Sequence, residues 1–480
     1  VGDYLDKKIQ EIKNKLREGF TDPKFKNDVL TLLLQGKRER DLATEMIVNK
    51  FLERYYVHTI RDDKLTEMWI YEEGVYRPEG KSYVKEFCRD VLGDAYDTHL
   101  VNKIIAKIEV DTFIDMASFF IVGDPWELAV GNGILNLKTR ELKPFDPERI
   151  FFNKIPVNYD PDAKIEKIDQ FLRDVLETTD IPVIQELFGF CLVREYFLEH
   201  AFMFLGSGAN GKTRLLHLLE RFLGAENCVG VPLQQLITDH FAMGELQNKM
   251  VNLTAEVSDK TLDETGLFKQ VTGKDPISAN RKFKTRLKFT NYAKLINACN
   301  ELPRTRDFSY GFFRRWILIE FKNRFINAKE IGFMMDEERK RTKEADPNIV
   351  DKISNPQELS GLLNFALEGL KRIVVNGRFS YSITTNEVKN RWLRLSNSFE
   401  GFFVDRLKMD VSGTTHKSKI RESYYDYCMK YKLKPVNDRI IKQTMEDKGC
   451  WDERPAIAGE RVLVWRGVVL RDKQQSVLLQ

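Results

Sequence analysis

FMFLGSGANGKTRLL, residues 202–216, decides how this chain is read. An apolar run leads into a loop with three glycines and a Lys-Thr pair, and a second apolar run follows. The loop spells Gly206-x-x-x-x-Gly211-Lys212-Thr213, with Ser207, Gly208, Ala209 and Asn210 between the outer glycines. Glycines let backbone N–H groups turn inward around an anion, a lysine brings a point charge, and a threonine hydroxyl can bind magnesium. AFMFL before the loop reads as a buried strand, and TRLLHLLERFLG after it as a helix whose positive end faces the phosphates. A bare glycine turn between strand and helix would need neither the lysine nor the threonine. The expected ligands are ATP or another nucleoside triphosphate, and magnesium.

Downstream, KMVNLTAEVSD (249–259) is a strand-like run ending at Glu256, a carboxylate placed to orient water or help hold magnesium. Many motors have two acids here, whereas this chain has Ala255 before Glu256 and only Asp259 after it. Next comes FKQVTGKDPISANRKFKTRLKFTNYAKL (268–295). Between Lys269 and Thr290 it holds seven Lys/Arg against one acid, Asp275. Cations alternating with Phe283 and Phe289 suit a hairpin laid along a nucleic-acid backbone, or a solvated basic strand pair. KLINACNELP puts Asn300 at the end of a third strand, where an amide could sense a γ-phosphate. GFFRRWILIEF puts Arg314 and Arg315 just before a fourth. An arginine there either reaches a neighbouring copy's nucleotide or makes an ion pair within its own fold.

The remaining sequence sets bounds. A length of 480 residues exceeds what one core usually organises. Hydrophobic content of 42%, charged content of 31% and a net charge of +4 describe an ordinary folded protein, with no global signal for nucleic acid. The six cysteines form no CxxC pair, which argues against zinc or a disulfide framework and fits a reducing cytoplasm. No apolar run is long enough to span a bilayer, so no membrane partner is expected. Residues 1–60 read as charged amphipathic helices, and 61–160 as a small α+β domain with hairpins at MWIYEEGVYRPEG and around Gly131-Asn132-Gly133. Helices fill 161–199, strands alternate with helices over 200–330, and 331–400 reads as helical. From 401, short helices precede RVLVWRGVVLR, a candidate hairpin.

The order of these motifs resembles the superfamily 3 helicases, and within them the primase-helicases of phages, plasmids and large DNA viruses, of poxvirus and satellite-phage type. VGNGILNLKTRELKPFDPERIFFNKIPVNYDPDAK resembles that family's pre-helicase domain. QELFGFCLVREYFLEHAFMFLGSGANGKT resembles the start of its ATPase core. NGK, Asn210 to Lys212, is typical of this branch, and FKQVTGKDPISANRKFK, NELP and RRWILIEF resemble its hairpin, sensor and finger segments. KIRESYYDYCMKYKLKPVNDRIIKQTMEDKGC followed by GERVLVWRGVVLR resembles its winged-helix module, which docks on DNA or on protein.

The resemblance implies an α/β fold: an AAA+-like phosphate-loop ATPase core (200–330), with an N-terminal helical segment (1–60), an α+β pre-helicase domain (61–160), a helical collar (161–199), a helical segment (331–400) and a winged-helix domain (401–480). It implies that Lys212 and Thr213 bind phosphate and magnesium, that Glu256 is the Walker B-type acid, and that Asn300 is the first sensor. Arg315, ahead of Arg314, is the implied finger in trans, and Lys269 reaches a neighbour's nucleotide. Lys282, Phe283, Lys284 and Arg286 are implied to grip single-stranded DNA, and Arg439 and Lys442 to face DNA from the winged helix. The implied activity is ATP-driven unwinding during replication of a virus, phage or plasmid. A homo-oligomeric ring, a hexamer, would act on single strands and forked duplex in the host cytoplasm, moving 3′ to 5′ by analogy. Any primase-polymerase part is expected upstream of Val1. Two other readings stay open: a nucleotide switch or kinase indifferent to DNA, and a replication initiator that binds duplex without processive unwinding.

Overall fold

Three runs of sequence with almost no polar interruption, AFMFL, KLINAC and WILIE, become neighbouring parallel strands, as expected of strands covered on both faces. The computed structural model describes residues 22–471 apart from 63–64, 121–122, 259–260, 263–264, 282–283, 332–338, 432 and 458–459. Its N-terminal part opens with helices α1 (Pro23–Leu33) and α2 (Lys37–Arg54). Strands β1 (Val57–Ile60), β2 (Glu67–Glu72) and β3 (Val75–Arg77) follow. Helices α3 (Gly80–Leu92) and α4 (Thr98–Asp111) then lead into the short β4 (Phe113–Ile114). The sheet runs β3-β2-β1-β4, and the helices bury Val29, Ile47, Phe51, Phe87 and Ile104 against it. A meander follows: β5 (Glu127–Val130), β6 (Gly133–Asn136) and β7 (Leu142–Lys143), with Val130 opposite Gly133 across the turn.

Helices α5 (Lys167–Val175) and α6 (Ile181–Leu192) lead into the central sheet. Its elements in chain order are β8 (Ala201–Leu205), α7 (Lys212–Leu223), β9 (Cys228–Val229), β10 (Val251–Thr254), α8 (Gly266–Val271), β11 (Pro276–Arg281), β12 (Lys284–Thr290), β13 (Lys294–Cys299), α9 (Tyr310–Phe313) and β14 (Trp316–Glu320). The sheet runs β14-β8-β13-β10-β9, entirely parallel, with β8 flanked by strands that come later in the chain. β11 and β12 stand apart as an antiparallel ribbon, anchored at its base by the fully buried Ile277 and Ala279.

The expectation of helix throughout 331–400 needs correcting. β15 (Arg324–Ile326) and β16 (Thr342–Glu344) pair in parallel beside the phosphate loop. Three residues are too short a run for hydrophobic periodicity to register. The long helix α10 (Pro356–Asn376) packs on α6, where Gly189 and Gly369 let the backbones approach. The two helical segments therefore share one core with the sheet.

Beyond α11 (Thr385–Ser396), helix α12 (Ser398–Arg406) runs through the expected boundary at 400. The C-terminal module then comprises β17 (Leu407–His416), α13 (Lys417–Tyr431), α14 (Asp438–Asp447), β18 (Trp451–Glu453) and β19 (Val464–Leu470). RVLVWRGVVLR is not a hairpin on itself. β19 lies between β17 and β18, and Gly467, at φ +84°, does not reverse it. Two flanking strands compete successfully for its backbone groups. No helix among the described residues is long and apolar enough to cross a membrane.

Candidate nucleotide site

The loop after β8 owes its shape to positions where a side chain would collide. A Cβ on Gly206 would meet Asn210 Nδ2 at 1.9 Å, and one on Gly211, at φ +88°, would meet Val175 Cγ1 at 2.6 Å. Ala209 also adopts a positive φ, 49°, held by a hydrogen bond from Phe325 N to its carbonyl at 2.6 Å. The Asn210 side chain is buried, donating to Phe321 O at 3.2 Å.

Lys212 is 6% exposed and aims its ammonium back into the loop. Nζ donates to Gly206 O at 2.6 Å, Asn210 Oδ1 at 2.9 Å and Asn300 Oδ1 at 3.2 Å. All three acceptors are neutral, and no carboxylate among the described residues forms an ion pair with it. Burial pulls its pKa below the ordinary lysine value. A largely buried cation without a counter-charge is a site suited to an anion.

Around it lies a cavity of about 710 Å³ whose lining includes Gly208 to Arg214, Glu256 and Asn300. That size lies in the range of small-molecule sites. The exposed Thr213 and Glu256 both face the cavity, so a hydroxyl and a carboxylate are available to a divalent cation beside bound phosphates. Such a cation would neutralise phosphate charge. Gly206 and Ser207 belong to the loop, but neither is on the lining. Asp259 lies outside the described residues.

The far wall went unnoticed in the sequence. Phe171 and Val175 of α5, Phe325 and Asn327 after β14, and Ile349 supply apolar and amide surface. Lys343 reaches Asp174 at 2.7 Å, tying β16 to α5. No motif announces these residues.

Lys269, Arg314 and Arg315 are absent from this cavity and gather elsewhere. A Cβ on Gly311 would lie 3.8 Å from Arg315 Nη1 and 3.9 Å from Lys269 Cε. Lys269 pairs with Asp307 at 2.6 Å and donates to Ser309 Oγ at 3.2 Å. Burial pushes the Asp307 carboxyl upward, but hydrogen bonds from Lys269, Ser309 and Thr265 outweigh it and hold it well below the usual range. Arg314 and Arg315 both pair with Glu199, Arg315 at 2.9 Å. Arg315 is 8% exposed, and burial lowers its pKa.

Position in the sheet separates the two groups. Trp316 lies opposite Ala201, so the arginines stand at the N-terminal edge of the strands while the phosphate loop leaves the C-terminal edge of β8. Five residues at ~3.3 Å each put about 17 Å between the two edges. Of the hairpin residues, Lys282 and Phe283 lie outside the described residues. Lys284 and Arg286 have their backbone in β12, but their side chains are outside the description. Arg439 and Lys442 are exposed on α14, with Lys442 Nζ 3.6 Å from Glu446.

Two family models match parts of the chain: D5 N terminal like over residues 46–177, and a family of unknown function (DUF5906) over residues 204–315. The chain is 26% identical over 312 residues to the protein named "Putative helicase L207/L206" of Acanthamoeba polyphaga mimivirus, covering 61% of this chain and 32% of that protein. It is 21% identical over 357 residues to "Putative helicase 121R" of Invertebrate iridescent virus 3, covering 68% of this chain and 37% of the relative. The chain thus spans about a third of the length of the curated relatives it matches. Among solved structures, the apo A form of the NrS-1 C-terminal region aligns with a TM-score of 0.40 at 14% identity, over 88% of this chain and 98% of that one. The chain is thus similar, over a D5 N terminal like segment and beyond it, to viral proteins named as putative helicases.

Proposed function

We propose that this chain is the ATP-driven motor of a DNA helicase that works as a ring of identical copies, a hexamer, on single strands at a forked duplex. One observation carries the reading: residues suited to phosphate stand at opposite edges of one parallel sheet. Lys212, Thr213, Glu256 and Asn300 lie at or beside the phosphate-loop cavity, while Lys269, Arg314 and Arg315 cluster at the other end. An arginine about 17 Å away along the strands cannot serve its own chain's nucleotide. It can serve a neighbour's, where it would offset charge developing on the transferred phosphoryl group.

The strand order supports an AAA+-like core, and Lys212 supports ATP as the anion supplied. Magnesium would be held by Thr213 and Glu256 with the phosphates. The β11–β12 ribbon, seated in the core at its base, would carry Lys282, Phe283, Lys284 and Arg286 to DNA. The arrangement of β17, α13, α14, β18 and β19 suits a winged helix, with Arg439 and Lys442 on its outer side.

ATP turnover with and without single-stranded DNA tests the proposal in wild type, Lys212→Ala, Arg315→Ala and an equal mixture of the two variants. The expected result is DNA-stimulated hydrolysis that is lost in each variant and partly regained in the mixture, where one variant's loop meets the other's finger. Turnover indifferent to DNA and to Arg315 would replace this reading with the nucleotide switch.

A further inference from the structure

Glu199 has no part in the reading so far, yet it holds both arginines. It sits two residues before β8, and the parallel register that sets Trp316 opposite Ala201 sets Arg314 opposite Glu199. One oxygen, Oε2, accepts from Nη2 of Arg314 and lies 2.9 Å from Nη2 of Arg315. Arg315 also donates Nη1 to Gly311 O at 2.5 Å, while its buried Nε finds no hydrogen-bond partner among the described residues. The side chains differ in access: Arg314 is 36% exposed, Glu199 35% and Arg315 10%.

Asp275 also acts on Arg315 through its charge, but among the described acids only Glu199 pairs with both arginines. Glu195 is taken by Lys274 at 2.6 Å. His200 stays neutral, its pKa pushed down to about 4, chiefly by burial. Burial acts to raise the pKa of Glu199, but the hydrogen bond from Arg314 and both guanidinium charges outweigh it, so the group is an anion at neutral pH.

Two guanidiniums on one carboxylate oxygen leave cationic charge unspent and one donor unpaired. That arrangement favours exchange for an anion with more oxygens, and a triphosphate is such an anion. Until the exchange, the carboxylate ties the arginines to their own chain and weakens the field they project outward. We propose that Glu199 is a positioning residue that holds Arg314 and Arg315 against their own chain until the nucleotide phosphates of a neighbouring copy replace it. This rests on the reading of the arginines as acting in trans.

The test is ATP turnover as a function of subunit concentration for wild type, Glu199→Gln and Glu199→Asp, with thermal unfolding followed alongside. Without the latch, copies engage one another's nucleotide at lower concentration. Glu199→Gln should lower the half-maximal subunit concentration about fivefold, the scale of one partly exposed ion pair. Glu199→Asp, with its carboxylate drawn back by one methylene, should shift it the same way by less, and it carries the test if the glutamine variant fails to fold. A merely structural role would lower the unfolding temperature and leave the half-maximal concentration unchanged or raised, and either result overturns the latch. The mixture of Lys212→Ala and Arg315→Ala separates the two ideas. If the mixture regains turnover but Glu199→Gln leaves the curve in place, only the latch fails. If the mixture stays inactive, the trans reading falls with it.

Discussion

At the scale of single residues, two buried lysines near one sheet do different work. Lys212 has neutral partners and an open cavity in front of it. Lys294, at the start of β13, is fully buried, and its Nζ donates to the carbonyls of Val193, Glu195 (3.0 Å) and Tyr292 (2.9 Å). It also sits 4.8 Å from the centre of the Phe190 ring. Its task is to hold the turn between α6 and β8 against the sheet. Burial pushes its pKa from 10.5 to about 7. A lysine whose pKa is lower in the folded state releases its proton there first. Between pH 7 and 10.5 the unfolded chain therefore binds more protons, and the contribution of Lys294 to stability rises with pH, by up to ~1.4 kcal/mol per unit. Below pH 7 that contribution is level. At pH 9 the neutral Lys294 amine keeps two N–H groups for these carbonyls, and Lys294→Met, which removes them, should cost about 2 kcal/mol there. Denaturant unfolding across pH 7 to 10 should show the wild type gaining on the variant as pH rises. A constant gap would mean that Lys294 does not titrate in that window.

At the scale of elements, the cavity depends on a helix that its own residues do not cap. α5 begins after Glu166, whose side chain makes no capping bond. Glu358, from the first turn of α10, does so instead, accepting from the N–H groups of Glu166, Lys167 (2.9 Å) and Ile168 (3.1 Å). Phe171 and Val175 then face the phosphate-loop cavity one and two turns along. This is where sequence reading reaches its limit. A phosphate loop is contiguous, and each of its residues has a stated chemical reason, so 206–213 can be read by eye. The cap for α5 arrives from about 190 residues away, and no local pattern encodes it. Phe325 and Asn327 are equally silent, because short strands and loop residues carry no period. Glu358→Ala should destabilise the protein by about 2 kcal/mol, since the N–H groups of Glu166, Lys167 and the buried Ile168 lose their acceptor. It should also raise the KM for ATP several-fold with a smaller effect on kcat. Denaturant unfolding and steady-state kinetics check the two parts. A change in stability with no change in KM would detach α5 from the nucleotide site.

At the scale of the whole molecule, charge is spread so that the modest net value of +4 conceals local asymmetry. The three cations around Gly311 are only partly offset by Asp307 and Glu199, while 269–290, which shares Lys269 with them, holds seven basic residues against one acid. The first set was legible only as a dipeptide before a strand. Its pairing with Glu199 follows from the parallel register, which sequence alone does not give. The second set was legible as composition, and the structure adds that the ribbon is rooted by Ile277 and Ala279. A ribbon with an apolar base can carry cations at its tip without unfolding when they are changed. Lys282→Ala with Lys284→Ala should therefore leave thermal unfolding and DNA-independent turnover close to wild type. It should remove stimulation by single-stranded DNA and flatten the salt dependence of DNA binding, because each lysine on a phosphate releases counterions. Binding of a fluorescent single strand across a salt series, beside unwinding of a forked duplex, makes the comparison. An unchanged salt slope with unwinding at the wild-type rate would move the DNA contact off this ribbon, leaving the exposed Arg439 and Lys442 of α14 as the surface to change next.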